Sequence, residues 1–221
     1  MADFLLVARA APSLSQNSDG GKIEPQGLRT GDLSIVEFIQ RCVLGGRGFV
    51  ANFGSVTTPL TFLVSAANRP DAWLRVPAAT SIIPLMVNVA LEAYAGTATE
   101  IDLRMAANDI GNGTSSAASV GPLSMSPGDD NGVATNVVAR QLATGDTTTE
   151  TTPISLYRRT YASVGAAGSE PGGAEIDRAK MGYAVLHGPA TLELFIAATT
   201  TQATGFVVMQ WVEVPSSWLL N

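Results

Sequence analysis

The residues that could carry acid–base or nucleophilic chemistry are few. His187 is the only histidine and Cys42 the only cysteine among 221 residues. Nucleophilic catalysis needs a base within hydrogen-bond reach of a serine or cysteine, and one imidazole is available. His187 directly precedes Gly188-Pro189, a dipeptide typical of turns. We therefore interpret His187 as a hydrogen-bonded turn residue at a strand end, and Cys42, which lies in an apolar stretch, as a buried small hydrophobic residue.

The sequence also has few residues that could bind a metal ion. A structural or catalytic zinc site needs three or four ligands of the Cys and His type, and the chain has two such residues. The segment Pro127–Gly132 groups oxygen ligands that suit calcium, but it lacks the alternation and the distal glutamate of an EF-hand loop. We interpret it as a polar turn, with a cation at a subunit interface as the alternative. The sequence predicts no catalytic, cofactor-binding or metal-binding residues, no cofactor, and a protein that is not an enzyme.

Two further groups of charged residues are weak functional signals. Glu92, Glu100 and Asp102 flank predicted strands, where hairpin ends normally carry charge, so we assign them a structural role. Arg158 and Arg159 lie among aromatic residues, an arrangement that can bind nucleic-acid bases. Because side chains alternate along a strand, these two arginines should point to opposite faces. A salt bridge at a strand edge or a subunit contact explains them better than nucleic acid does.

The chain has few charges, and their balance is acidic. Only 14% of its residues are charged and 46% are hydrophobic, and the formal net charge is −6. Typical soluble domains have about 25% charged residues, so a disordered polyelectrolyte is excluded. Binding to phosphate backbones needs several Lys or Arg side chains, and we expect no direct nucleic-acid binding. So sparse a charge indicates that neighbouring subunits cover much of the surface.

Neither a membrane span nor an exported protein is expected. No apolar run approaches the about 18 residues that a membrane-spanning helix requires. Residues 4–11 are apolar, but they follow Asp3 without the basic segment of a signal peptide. A single cysteine cannot form an intrachain disulfide. We expect a protein that folds in the cytoplasm and has no membrane partner.

The pattern of segments predicts an all-β fold. Short β-branched, aromatic or alternating stretches are separated by turns rich in Gly, Pro and Asn, without the alternating helices of an α/β protein. The strand candidates are Phe49–Phe53, Thr57–Val64, Trp73–Val76, Ser81–Tyr94, Glu100–Ala106, Val133–Leu142, Ile154–Tyr161, Met181–Leu186, Ala190–Ala197 and Gly205–Val214.

The beginning of the chain differs from this pattern. Residues 13–32 are polar and Gly-rich, and we predict an irregular N-terminal arm over residues 1–32, followed by a single β-sandwich domain over residues 33–221. The apolar positions of Leu33–Leu44 fit a short amphipathic helix and also a strand. We favour a helix of about ten residues, ended by Gly45-Gly46.

Two late strands show the two-residue period of antiparallel sheets. In Ala190–Ala197, three apolar residues should point one way, with Glu193 and Phe195 on the other side. Gly205–Val214 is apolar on both faces. One face then packs on the core, and the other must be covered by a helix or by another subunit.

Three segments together resemble the strand–loop–strand pattern of single jelly-roll proteins from viral shells and of trimeric β-sandwich assemblies. They are Trp73–Pro77, Ser81–Val89 and Ile101–Arg104, the last followed by a long Gly/Ser/Ala loop. The resemblance covers residues 48–215 and implies two four-stranded sheets packed face to face, with long loops at the ends. It implies no catalytic residues. The chain departs from many RNA-virus coats because its arm has no basic excess, which argues against neutralisation of a genome.

We therefore expect a self-assembling structural protein, a viral or phage capsid or coat subunit located in the virion after assembly in the host cytoplasm. Its partners would be its own copies in a symmetric homo-oligomer, and other virion proteins. Assembly contacts are expected from residues 1–32 and from Trp211–Asn221. The alternative is a carbohydrate- or receptor-binding β-sandwich of a spike, fibre or decoration protein. Its candidate sugar-stacking residues are Trp73, Tyr94, Trp211 and Trp218.

Overall fold

The computed structural model describes residues 38–62, 70–93, 98–107, 118–126, 134–141, 153–161, 173–198 and 202–218. The described chain begins with a short helix, α1 (Phe38–Cys42), which continues into a wider π-type turn (Val43–Arg47). The strands are β1 (Gly48–Phe53), β2 (Leu60–Thr61), β3 (Ala72–Val76), β4 (Thr80–Ala93), β5 (Thr99–Ala106), β6 (Ala118–Val120), β7 (Leu123–Ser124), β8 (Val138–Gln141), β9 (Ile154–Tyr161), β10 (Gly173–Asp177), β11 (Leu186–His187), β12 (Ala190–Ala198) and β13 (Thr204–Pro215). A 3-10 turn follows at Ser216–Trp218.

These strands form two antiparallel sheets. The first sheet has the order β10-β4-β13-β1-β7, with β11 beside β4 and β2 beside β13, and the second has the order β6-β8-β3-β12-β5-β9. Without the short strands β2, β6, β7, β8 and β11, eight strands remain. The first of these pairs with the eighth in one sheet and the second pairs with the seventh in the other, which is the order of a jelly roll. The predicted all-β jelly-roll sandwich is confirmed, whereas the predicted arm over residues 1–32 lies outside the described residues.

The main core lies between the two sheets. Leu192, Leu194 and Ile196 of β12 point into it, and Glu193 and Phe195 lie on the opposite face, as the two-residue period predicts. The largest fully buried side chains are Trp211, Phe53 and Phe62. Trp211 packs against Phe49 with ring centroids 6.0 Å apart. Because Trp211 points into the main core, the face of β13 that carries Trp211 is the internal face.

Most strand predictions are confirmed and one is wrong. β1, β3, β4, β5, β9, β12 and β13 lie within one or two residues of the predicted bounds, whereas β2 and β8 are shorter than predicted. The predicted strand Met181–Leu186 is mainly a turn, and only its last residue enters the short strand β11. Met181 is buried because this turn folds into the core, which explains its apolar character. The strand β10, which precedes this turn, was not predicted.

The predicted helix is present in the described residues, and residues 33–37 of the prediction lie outside the described residues. α1 has five residues, and the backbone leaves the helical conformation at Gly45 and Gly46. Gly46 has φ 71°, a left-handed value that glycine adopts without steric cost. We name α1 and the π-type turn together, residues 38–47, the helical segment; the predicted Gly45-Gly46 stop lies where it leads into β1.

Candidate functional site

His187 pairs with a serine that the sequence analysis did not single out. Its Nδ1 lies 2.8 Å from the Ser81 Oγ, which lies 2.8 Å from the Ser216 Oγ. The pair arises because β11 runs antiparallel to β4 with His187 opposite Ser81. Ser81 has no exposed surface, so its hydroxyl cannot reach a substrate. The contact connects β4, β11 and the 3-10 turn, in agreement with a hydrogen-bonded histidine at a strand end.

Cys42 is buried, as predicted. The side chain has no exposed surface and belongs to a small apolar cluster with Val212 and Val214. Burial raises the pKa of the Cys42 thiol, and the positive charge of Arg47 acts in the opposite direction with the smaller effect. The thiol is therefore protonated at neutral pH and has the character of a hydrophobic side chain.

The three carboxylates considered above do not converge. Glu92 is exposed on β4 of the first sheet, whereas Glu100 and Asp102 lie on β5 of the second sheet. Asp102 is buried and accepts a hydrogen bond from Arg104 Nε at 2.7 Å and one from Ser155 Oγ at 2.7 Å. These contacts occupy both of its oxygens and assign Asp102 a structural role.

Arg158 and Arg159 lie on opposite faces of β9, as predicted, because Arg158 pairs with Asp102 and Arg159 pairs with the core residue Ile101. An ion pair of 2.7 Å joins Arg158 to Glu100 on the neighbouring strand. The Arg159 guanidinium lies 4.9 Å from the ring centre of Tyr161. The expected salt bridge at a strand edge is therefore present.

The tryptophans are not arranged as a sugar-binding platform. Trp73 and Trp211 are buried, so their rings cannot stack on a ligand. Trp218 is partly exposed, and the Arg47 guanidinium covers its ring at 4.8 Å from the centroid. Tyr94 lies outside the described residues.

The described residues contain no group of three or more His, Cys, Asp or Glu side chains that could hold a metal ion. The predicted polar turn Pro127–Gly132 lies outside them. None of the helices in these parts of the chain is long and apolar enough to cross a membrane.

The outer face of the first sheet is covered along half of its length by the helical segment and the 3-10 turn. We name this part the roofed half; it consists of Cys42, Val212 and Val214, with Ile39, Val43, Leu85 and Trp218 packed around them. Val212 and Val214 point away from the main core because Trp211 points into it. The prediction that the second face of this strand is covered by a helix or a subunit is confirmed for the roofed half, where a helix covers it.

A β-bulge places Leu85 in the roofed half. Pro84 pairs with Trp211, and Met86 pairs with the preceding residue Gln210, so Leu85 is an extra residue in β4. Proline has no N–H for the ladder and occurs in sheets at bulges. The bulge lets β4 add an apolar side chain under the helical segment.

No described residue outside the sheet covers the remaining half of this face in the same way, and we name it the open half. Its outward side chains are partly or fully exposed and belong to neither apolar cluster; they include Val50, Asn52, Met86, Asn88, Ala90, Leu123, Phe206, Val208 and Gln210. Phe206, Val208 and Met86 give it an apolar centre. The acidic side chains Glu92 and Glu175 border it, and both are exposed.

The helical segment presents a second surface away from the sheet. Residues three apart lie on the same side of a helix, and Phe38, Arg41 and Leu44 have this spacing. Phe38 is 43% exposed and Leu44 is 69% exposed. We name these three residues the ridge. Its spacing could have been recognised in the sequence, whereas its position above a half-covered sheet could not.

Comparisons with protein-family models, with curated proteins and with solved structures found no match.

Proposed function

We propose that this chain is a structural subunit that assembles with its own copies into a shell or particle, as a viral or phage capsid or coat protein. The observation that carries the proposal is the ridge, where Phe38 and Leu44 expose large apolar side chains beside Arg41. Exposed apolar surface of this kind marks contact sites between proteins. The jelly-roll order adds support, because viral capsid domains are among the proteins built on it.

The chemistry of the described residues favours this function over an enzyme or a sugar-binding head. The serine next to His187 is buried, the carboxylates on β5 are held by structural partners, and two of the candidate tryptophans are internal. The partners under this proposal are other copies of the chain and other virion proteins, and the location is the virion.

The test is to image the purified protein. Size-exclusion chromatography and negative-stain electron microscopy should show closed particles or a regular lattice at micromolar concentration and neutral pH. A clean monomer of 22.9 kDa under the same conditions would contradict the proposal. Small oligomers that bind on a glycan array would favour the receptor-binding alternative.

Truncations of the two chain ends test which segments contribute to the assembly contacts. Ser216 is buried and Trp218 belongs to the roofed half, so removal of residues 216–221 would also damage the domain. Removal of residues 219–221 avoids this damage and should lower particle yield with little change in melting temperature. Removal of residues 2–20 should change particle size or yield; an unchanged size distribution for both truncations would remove these segments from the assembly contacts.

A further inference from the structure

The outer face of the first sheet has two halves of complementary shape and charge. The roofed half carries the helical segment as an additional layer on the sheet, whereas the outward side chains of the open half are the surface of the sheet itself. The ridge on the roofed half has an apolar–cationic–apolar order, Phe38, Arg41, Leu44. The open half has an apolar centre with acidic residues at its border.

The charges on this face are separated by sign. Arg41 and Arg47 are the charged side chains of the helical segment, and the outward charged side chains of the strands are Glu92, Glu175 and Asp177. Asp177 accepts a hydrogen bond from the Lys180 backbone N–H at 2.9 Å, and Lys180 Nζ reaches the Glu175 carbonyl oxygen. Arg178, in the turn after β10, lies over the ring of Tyr183.

Arg41 and Glu175 have no partner of opposite sign among the described residues. Arg47 is stacked on Trp218, but no described carboxylate pairs with Arg41 and no described cation pairs with the Glu175 carboxylate. Within the described part of the chain, the ridge therefore carries an unpaired cation, and an unpaired carboxylate lies beside the open half.

We propose that two copies of the chain pack face to face through this surface, with the ridge of each copy on the open half of the other. A twofold axis that lies parallel to the sheets and perpendicular to the strands, near Gln210, exchanges the two halves. Such an axis places each roofed half over an open half and makes an isologous contact. The inference rests on the proposed self-assembly and names the surface and the symmetry of one contact.

The same operation matches the chemistry of the two halves. Phe38 and Leu44 of one copy cover Phe206 and Val208 of the other, and apolar area leaves water on both sides. Arg41 of one copy approaches Glu175 of the other copy. Glu175 lies on β10, which is two strands away from β13, and neighbouring strands are about 4.8 Å apart. The twofold axis creates the Arg41–Glu175 pair twice, so one charge reversal changes two contacts.

The test uses the charge-reversal variants Arg41→Glu and Glu175→Arg in the full chain, with self-association measured by sedimentation velocity and mass photometry over a concentration series. Each variant alone brings like charges together twice and should raise the dissociation constant of the pair at least about tenfold. An equimolar mixture of the two variants restores both opposite-charge pairs in the heterodimer and should return to within about threefold of wild type. Because only an intermolecular contact can be restored by mixing, rescue by the mixture supports the proposal.

Two matched variants control the test. Arg159→Glu makes the same change on the exposed edge of the other sheet; it should leave the association unchanged and should not rescue Glu175→Arg. Leu44→Glu changes a ridge residue that is 69% exposed, so it tests the ridge without endangering the fold. It should weaken the association even if Arg41→Glu proves to unfold α1.

Several results would overturn the inference. Wild-type association in the reversal variants and in Leu44→Glu would show that this face is not a contact, although particles of the variants would leave the proposed function intact. Weakened single variants without rescue in the mixture would show that Arg41 and Glu175 do not face each other. Deletion of residues 2–32 tests the arm as an occupant. If the deletion makes hydrogen exchange in the open half faster and leaves the association unchanged, the arm of the same chain covers the open half. A wild-type protein that stays monomeric would refute the proposed function as well.

Discussion

Glu213 connects the two sheets through its carboxylate, and its replacement by alanine should lower the stability of the sandwich substantially. The residue lies on β13 of the first sheet and is 4% exposed. Its oxygens accept hydrogen bonds from Thr135 Oγ1 at 2.7 Å, from the Asn136 backbone N–H at 3.0 Å and from Asn136 Nδ2 at 2.9 Å. Thr135 and Asn136 lie three and two residues before β8 of the second sheet, so these bonds hold the segment that leads into β8 against the opposite sheet.

The size of the effect follows from the donors that are left behind. A hydrogen bond to a charged group contributes about 1.5–3 kcal/mol, and an unpaired buried donor costs about 1–3 kcal/mol. Asn136 is exposed enough for water to replace part of the loss. We expect Glu213→Ala to lower the free energy of unfolding by about 3 kcal/mol and the melting temperature by about 6–12 °C. Glu213→Gln keeps one acceptor oxygen and should lose about half as much free energy.

Urea denaturation with linear extrapolation measures this loss, at two protein concentrations because self-association adds a concentration-dependent contribution. Glu92→Ala is the matched control, since it removes an exposed glutamate from the same sheet and should change the free energy of unfolding by less than about 0.5 kcal/mol. If Glu213→Ala also stays within about 0.5 kcal/mol of wild type, the contact between the sheets contributes nothing to stability and our reasoning on Glu213 is wrong.

Three further predictions concern the layer around the helical segment and the serine–histidine pair. Burial raises the pKa of the Cys42 thiol above the ordinary value of 9.0, so above pH 9 the folded state keeps the proton while the unfolded chain loses it. The contribution of Cys42 to stability should be fully present below pH 9 and be lost as the pH rises above it, so the difference in unfolding free energy between wild type and Cys42→Ala, measured by urea titration, should change only above pH 9. Trp218→Ala should lower stability by about 2 kcal/mol through lost packing and the lost Arg47 contact, whereas Trp218→Phe should lose less, as seen in thermal unfolding. Ser81→Ala should lower the melting temperature by about 2–4 °C by removing the hydroxyl that contacts His187, and an unchanged melting temperature would show that this contact is dispensable.

The strand β12 could be predicted together with its inner face because its two faces differ. In β12 the apolar residues alternate with Glu193 and Thr191, so both the strand and its inner face could be read from the pattern. The turn at Met181 was misread because one core residue in a loop has the same apolar character as a strand residue. β10 was missed because Gly173–Asp177 follows a Gly-rich stretch and has only two core-facing residues, Ala174 and Ile176.

The candidate surface was less accessible to sequence reasoning than the fold. The spacing of Phe38, Arg41 and Leu44 is a local property and is visible in the sequence. The register that places α1 over Val212, and the bulge that adds Leu85 to the same cluster, depend on pairing between residues far apart in the chain. Hydrogen-bond partners such as Ser81 for His187 depend on cross-strand register in the same way.

The uniform pattern of β13 is the strongest physical reason to expect a neighbour on the open half. Its outward residues are apolar at both ends of the strand, Phe206 and Val208 at one end and Val212 and Val214 at the other, with Gln210 between them. Among the described residues, the helical segment covers only the second pair. The first pair is also apolar and lies on the same face, so its burial is favourable as well. Since Gln210 lies at the boundary of the two halves, a second copy turned about that boundary brings the missing helical segment to the uncovered pair.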